Sequence, residues 1–377
     1  MGFYMAHNKK GSFKMIIKKN ILLKITLFFI ILAMFSGCDK WKVIATTPKF
    51  CDLNSIWFKG STGLLFCGYQ KSESRDVNER FYATQAIIFK TYDLGKNWKK
   101  VFTGRTYFEG SSACKNGKIY AFGRQYDKKG DWKPFLVCTK NQGKTWSLKN
   151  FLSARIIGAD FTSPEIFYAW SKKSIYRFKG DAKNWEKIVN IPYKEPCNYV
   201  GKGDGLGNLW FGHGNWLALI TANDKIMEQT FPLKHEIDAM TVDDDGNLWV
   251  VERDRREKDW KATLHRRKRE KGENITHSRG LSFMAVFPEF FAQSILVYGK
   301  KVVVMGSDMK PRTPRNEVWF SDDSGQNWET ENVQHTFHLL THIFGDFSNG
   351  PSFLDKKSGA VYFDGTRDRL WQRVLKD

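Results

Sequence analysis

Three stretches of this chain decide its fold: Thr91-Tyr92-Asp93-Leu94-Gly95-Lys96-Asn97-Trp98, Thr139-Lys140-Asn141-Gln142-Gly143-Lys144-Thr145-Trp146 and Ser321-Asp322-Asp323-Ser324-Gly325-Gln326-Asn327-Trp328. Each reads hydroxyl-x-Asp/Asn-x-Gly-x-Asn/Thr-Trp, and each follows an apolar run, AIIFK, FLVC or VWF. The pattern is that of a tight turn closing two strands. The hydroxyl and the carboxylate accept hydrogen bonds from turn N–H groups, the glycine takes a positive φ, and the tryptophan packs under the next strand. Three octets with matched flanks mark a repeat.

The octet resembles the Asp-box, or bacterial neuraminidase repeat, of sialidase-like β-propellers, where it joins the outer strands of a blade. The resemblance implies that Thr91, Asp93, Gly95, Trp98, Thr139, Asn141, Gly143, Trp146, Ser321, Asp323, Gly325 and Trp328 are structural and lie away from any ligand. Spacing then sets the blade count. Trp98 and Trp146 are 48 residues apart, and a worn copy, Lys179-Gly180-Asp181-Ala182-Lys183-Asn184-Trp185, follows 39 later. The 143 residues from Trp185 to Trp328 fit three steps and so hide two blades. Within them, Gly207-Asn208-Leu209-Trp210-Phe211-Gly212 and Asp245-Gly246-Asn247-Leu248-Trp249-Val250 resemble the Asp-Gly-Asn-Leu-Trp inner hairpin of other propeller repeats. A last degenerate copy, Phe363-Asp364-Gly365 through Trp371, comes 43 after Trp328. The expectation is an all-β chain: a seven-bladed β-propeller of four-stranded antiparallel blades, with six blades as the alternative. Trp41-Lys42-Val43-Ile44-Ala45 looks like the strand after each box, so an N-terminal outer strand is expected to complete the last blade. Trp371 competes for that place.

Composition agrees, with 14 Trp, 30 Phe and 31 Gly in short apolar runs between turn residues and no sustained helical period. No low-complexity linker interrupts residues 41–377, so one closed domain is expected.

The N-terminus reads as an address. Lys9, Lys10, Lys14, Lys18, Lys19 and Lys24 precede the apolar run Ile25–Phe35, which ends in Ser36-Gly37-Cys38. A basic segment, an apolar core and small residues at a cleavage point make a secretory signal. Ending in cysteine, it resembles a bacterial lipobox, with Phe35 in place of the usual leucine. That resemblance implies cleavage before Cys38 and acylation of its thiol and amine, which would hold the protein on a bilayer. Residues 1–37 are read as the removed signal, with Met15 as a candidate true start, and 38–377 as the propeller domain. The competing reading, a membrane-spanning anchor, needs a longer apolar stretch. Asp39 resembles the residue that keeps enterobacterial lipoproteins on the inner membrane. The expected location is the cell envelope, facing the periplasm.

Five further cysteines, Cys51, Cys67, Cys114, Cys138 and Cys197, leave at least one unpaired in an oxidising compartment. Cys67 and Cys138 sit inside apolar runs and are expected to be buried reduced thiols. The chain carries a formal charge of +20, and removing the six lysines of residues 1–37, which hold no acidic residue, leaves +14. Such a balance suits anionic headgroups, acidic glycans or an acidic protein partner, or a merely solvated surface. The compartment argues against nucleic acid.

In an up-and-down blade the boxes mark one face of the disc, and the loops between second and third strands mark the other. The latter are long and charged: Lys71–Tyr82, Arg124–Lys133, Glu252–Lys261 and Asp308–Asn316. Arg75, Arg80, Arg124, Trp132, Arg253, Arg255, Trp260, Arg312 and Arg315 form the candidate binding face, because arginines beside aromatics typify interface hot spots. Their plain alternative is a set of solvated hairpins. The basic run His265-Arg266-Arg267-Lys268-Arg269 reads either as a surface patch or as a charged edge strand. His335, His338 and His342 fall where an inner strand is expected, so their odd spacings do not gather on one face for a metal.

A sialidase-like glycosidase would need an arginine cluster, a Tyr–Glu pair and a carboxylic acid. The family's opening Phe/Tyr-Arg-Ile-Pro motif is missing, since the first blade begins Cys51-Asp52-Leu53-Asn54-Ser55-Ile56-Trp57. Arg105, Arg124 and Arg155, with Glu109 and Asp160, are the nearest set, and no Tyr/Glu context matches. No catalytic set, metal site or cofactor is expected. The boxes and inner hairpins are also similar to photosystem assembly-factor-like propellers, which are binding scaffolds. The favoured function is therefore a lipid-tethered, non-catalytic platform for a protein partner, of envelope-assembly or toxin-neutralising type. A sialidase-like hydrolase or a glycan-binding propeller is the alternative.

Overall fold

Apolar runs bounded by turn residues become strands, and among the described residues there is no helix. The computed structural model describes residues 42–46, 51–69, 85–104, 106–113, 117–126, 132–150, 156–163, 165–179, 185–191, 198–223, 226–229, 233–254, 261–268, 282–308, 315–332, 352–355, 357–365 and 369–375. The chain opens with β1 (Lys42–Thr46) and then builds blade one from β2 (Cys51–Lys59), β3 (Thr62–Tyr69), β4 (Gln85–Thr91) and β5 (Lys99–Gly104). Blade two is β6 (Thr106–Ala113), β7 (Ile119–Tyr126), β8 (Trp132–Thr139) and β9 (Ser147–Asn150). Blade three is β10 (Ile156–Phe161), β11 (Ile166–Ser171), β12 (Ser174–Lys179) and β13 (Trp185–Asn190). Blade four is β14 (Tyr199–Gly203), β15 (Leu209–His213), β16 (Trp216–Ile220) and β17 (Ile226–Gln229). Blade five is β18 (Glu236–Val242), β19 (Leu248–Asp254), β20 (Lys261–Arg267) and β21 (Ser282–Pro288). Blade six is β22 (Phe290–Tyr298), β23 (Lys301–Asp308), β24 (Arg315–Ser321) and β25 (Glu329–Asn332). Blade seven is β26 (Ser352–Asp355), β27 (Ala360–Gly365) and β28 (Arg369–Val374), with β1 as its fourth strand.

The first strands touch in a closed ring, β2, β6, β10, β14, β18, β22, β26 and back to β2. The protein is a seven-bladed β-propeller. The six-bladed alternative falls, because the interval between Trp185 and Trp328 holds blades four and five.

The core is a circle of seven seams. Each blade is buried on both faces, which is why its strands read as continuous apolar runs. In β3, Leu64 and Phe66 turn toward blade two while Leu65 and Cys67 turn toward blade seven. The remaining seams repeat this alternation, as with Phe167 against blade two and Tyr168 against blade four. Each such side chain contributes about 1.5–3 kcal/mol on burial. Cys138 is a buried free thiol, as expected, whereas Cys67 is disulfide-bonded, contrary to the expectation of a reduced thiol.

The three octets close the third-to-fourth-strand turns. Thr91 Oγ1 donates to Asp93 Oδ1 (2.6 Å) and accepts the N–H of Gly95 (2.9 Å). Asp93 accepts the Asn97 N–H at 2.9 Å and its side-chain amide at 2.7 Å. Thr139 and Ser321 accept the N–H groups of Gly143 and Gly325 at 2.9 and 2.8 Å, and Asn141 and Asp323 accept those of Thr145 and Asn327 at 2.9 Å. Not one but two successive residues are left-handed: Leu94, Gln142 and Ser324 have φ of 60°, 57° and 64°, ahead of the expected glycines. Their N–H groups reach the first-to-second-strand turns of the same blade, Leu94 to Ser61 O (2.9 Å), Gln142 to Gly117 O (3.2 Å) and Ser324 to Lys300 O (2.7 Å). Each octet is thus a clasp joining both turns on one face of the disc.

The octet tryptophans insert backward. Trp98, Trp146 and Trp328 join the seams with blades seven, one and five, so they pack against the preceding blade and not simply under the next strand. At Gly95 a Cβ would stand 2.8 Å from Ala45 Cβ and 2.9 Å from the Trp98 ring, so glycine is needed for space as well as for its φ of 90°. Blades four and five use the other turn. Asp204 accepts the Asn208 N–H (3.1 Å) and Asp243 accepts the Asn247 N–H (2.8 Å), confirming Gly207-Asn208 and Gly246-Asn247 as inner hairpins.

Closure follows the N-terminal expectation. β1 lies outermost in blade seven, with Val43 opposite Trp371 on β28. Trp371 is therefore on a third strand, and Phe363-Asp364-Gly365 ends β27, so the last degenerate copy is not a fourth-strand turn. At this seam Phe58 stacks on Tyr362 with ring centroids 4.1 Å apart, and the Gly60 N–H donates to Asp355 Oδ2 (3.2 Å). Phe58→Ala is expected to lower stability by about 3–5 kcal/mol, measured as a lowered urea midpoint.

Hydrogen bonds from Thr91 and then from Asn97 hold the Asp93 carboxyl down at about 2. Asp323 is likewise held at about 2, chiefly by the Asn327 N–H. Both folded values lie below the ordinary 3.8, so their contribution to stability is complete above that pH and is lost as pH falls through about 2. Asn141 fills the same position uncharged. The double variant Asp93→Asn/Asp323→Asn is therefore expected to stay folded at pH 7 and to show a flatter loss of thermal stability between pH 4 and pH 2 than wild type.

Candidate functional site

The face opposite the clasps carries the second-to-third-strand loops and the blade-to-blade connections. Five inner strands slip register by one residue near this end, leaving Asn54, Glu109, Ile157, Asp238 and Gln293 as the extra residues. Each precedes the last residue of its strand by four or five positions, so the bulges stand at one level around the channel. Four of the five are acids or amides, and each is followed by a small residue, Ser55, Gly110, Gly158, Ala239 or Ser294. Bulges re-aim side chains and are enriched beside functional sites. The apolar–polar–small triplets were legible as a second repeat, and sequence reasoning missed them.

One bulge anchors a buried ion network across three blades. The Asp238 side chain is fully buried, and its Oδ1 lies 2.8 Å from Arg253 Nη2. Arg253 also faces Glu236 (3.8 Å) and lies over the Phe291 ring of blade six at 4.3 Å. From blade four, the Asn198 N–H donates to Glu236 Oε1 (2.7 Å) and its side-chain amide to Asp238 Oδ1 (3.1 Å). Farther out, Glu252 Oε2 accepts the N–H groups of Lys234 (3.1 Å) and His235 (3.2 Å), while Oε1 meets His265 Nε2 at 2.9 Å. Burial pushes the Glu252 carboxyl up, but the His265 bond and charge and the His235 N–H outweigh it and leave it below its ordinary value. His235 Nε2 lies 3.3 Å from Asp254 Oδ2. The root of the loop that begins at Arg255 is therefore pinned on both strands.

Arg253 was expected on a long, charged loop of the candidate binding face. It is a β19 residue, only 4 % exposed, with its guanidinium held by Asp238 and the Phe291 ring. Arg124 and Trp132 lie at the facing ends of β7 and β8, and Arg315 opens β24 opposite Asp308, so these three flank loop roots. Arg75, Arg80, Arg255, Trp260 and Arg312 lie outside the described residues, as do Cys38, Arg105, Arg155 and the histidines at 335, 338 and 342. The first three residues of the basic run, His265 to Arg267, form neither an exposed patch nor an edge strand. His265 to Arg267 end β20, with Arg266 over Trp249 (4.6 Å) and the buried Arg267 over Trp210 (5.5 Å). Asp160 belongs to the clasp-face end of β10, where it accepts the Gly203 N–H (3.0 Å) and meets Lys202 (3.4 Å). Among the described residues no three potential metal ligands gather.

These features define a class: a closed seven-bladed propeller with one clasped face and one face of charged loops on a buried polar frame. No family model and no curated protein sequence matches the chain. Solved structures share the fold. A structure of YCF48 bound to D1 peptide has a TM-score of 0.58 at 15 % identity, with 90 % of this chain and 96 % of that one covered. The Cps50 (Swd1) β-propeller domain of Myceliophteria thermophila gives 0.57 at 12 %, covering 89 % and 100 %. The GH74 xyloglucanase of Xanthomonas campestris gives 0.59 at 11 %, covering 89 % of this chain and 54 % of its own.

Removing the guanidinium from beside the buried Asp238 and the partly buried Glu236 is expected to be severe. Arg253→Ala should destabilise by about 3–5 kcal/mol. The double variant Arg253→Met/Asp238→Leu should recover part of that loss, as read from a double-mutant cycle of urea midpoints.

Proposed function

We propose that the chain is a membrane-anchored, periplasm-facing lipoprotein whose propeller is a non-catalytic platform for a protein partner, engaged through the loop face. The observation that carries this reading is the asymmetry of the disc. On one face three octets spend their hydroxyl and carboxylate or amide groups on their own turns, whereas on the other the blade-five loop departs from a buried ion network and the remaining second-to-third-strand loops are rich in Arg and aromatics. We further read the octets as Asp-boxes and Cys38 as the lipidated residue. The disulfide at Cys67 supports an oxidising compartment. A propeller of this fold holding a D1 peptide supports a protein partner over a small molecule. A glycosidase reading has lost Asp160, which lies on the opposite face from the loops.

Affinity capture with the full chain as bait, against the envelope extract of its own host, tests the platform. The expected outcome is one near-stoichiometric protein that disappears with Arg255→Glu/Arg312→Glu. Capture of no protein would turn the reading toward a glycan ligand. Anchoring is tested separately: Cys38→Ala is expected to shift the protein from the membrane fraction to the soluble one, and an unchanged membrane pool would sink that part.

A further inference from the structure

Among the described residues the outer strand of each blade has one edge without a paired strand, and natural edges are blunted by charge or brevity. Six of the seven follow this rule: β1, β5, β9, β13, β17 and β25 each carry at least one Lys or Glu and run to four to six residues. β21 does neither. Its sequence, Ser282-Phe283-Met284-Ala285-Val286-Phe287-Pro288, has no charge and is the longest of the set at seven residues. Phe283 is 63 % exposed and Val286 44 %.

The register explains that exposure. Phe283 lies opposite His265 and Val286 opposite Thr263, two positions apart on β20, so both sit on the same face. The other face buries Phe287 and partly buries Met284 and Ala285 in the seam with blade six. The strand is thus held on one side and offers an apolar face on the other, and among the described residues no strand pairs with its outer edge.

We propose that β21 is a docking edge for an extended peptide segment of a partner protein, apolar at its centre and acidic at both ends, which adds to blade five as a fifth strand. Charge selects this occupant. Lys261 and Lys268, both exposed, flank the two ends of β21, one beside Pro288 and the other beyond Ser282. A second copy pairing antiparallel on β21 would bring Lys261 of one copy toward Lys268 of the other, on a chain already at +20. An acidic-ended segment meets a lysine at each end instead. Seven residues of strand span about 23 Å, so a partner segment of six or seven residues covers the edge.

The full chain, purified in detergent, is panned against a displayed library of random twelve-residue peptides. Enrichment of alternating β-branched or aromatic sequences with Asp or Glu at both ends is expected. The best peptide, fluorescently labelled, should slow amide exchange at residues 282–288. Val286→Glu should weaken its binding at least ten-fold by anisotropy. Phe283→Thr, which keeps β propensity, should weaken it a few-fold without touching the fold. Arg255→Glu/Arg312→Glu should leave its affinity within two-fold, which separates this edge from the loop-face platform. The proposal is overturned by no enrichment, by protection elsewhere than 282–288, or by equal binding of Lys-flanked peptides. A dimer with residues 282–288 already protected before peptide is added would overturn it in favour of a second copy.

Discussion

A sheet buried on both faces has nowhere to send the polar groups of its turns, and this fold depends on how that constraint is met. In blades one, two and six a hydroxyl and a carboxylate or amide satisfy the turn from within, so the turn can lie flat over a hydrophobic seam. Once it lies flat, the tryptophan three residues beyond the glycine is carried into the preceding blade. Blades four and five reach the same end by an Asp–Asn pair on the other turn, where Asp243 Oδ2 also accepts the Trp249 Nε1–H at 2.9 Å. Seam packing and turn chemistry are therefore one device, not two.

This device is local, which is why the fold was readable. The hydroxyl and the carboxylate or amide of an octet find their partners within the same eight residues, so the pattern survives in the sequence, and the likeness of Lys42–Ala45 to other outer strands betrayed the closing strand. Phe363–Gly365 misled because Asp-Gly also ends second strands. The site was less readable because its determinants are distant. Glu252-Arg253-Asp254 looks like the start of a hydrophilic loop until Asp238 on β18 and Phe291 on β22 supply the partners that bury the arginine. Arg266 and Arg267 look like a surface patch until Trp249 and Trp210 provide platforms for them. A bulge is harder still, since a one-residue slip exists only relative to the neighbouring strand.

The two faces divide the labour. On the clasp face the octet side chains are consumed within their own turns, and single bonds such as Lys90 Nζ to Gln142 O (2.7 Å) link one blade to the next. On the loop face polar groups are shared across blades, through Asn198, Asp238 and Arg253, and there the charged loops begin. A shared network of this kind fixes the strand ends from which a loop departs.

The seam between β1 and β28 also governs how the chain reaches its native state. Lys42 pairs with Gln372, so β1 has no neighbour until β28, about 330 residues further on, has been made. Until then the growing arc carries a raw apolar flank at blade one and another on whichever blade was finished last. Such an arc is prone to join its neighbours end to end, and it calls for a holding chaperone or for passage in an extended form. The same topology acts in reverse once the circle is sealed. No blade can leave without breaking two seams, so the closed ring lasts longer than its thermodynamic margin alone would suggest.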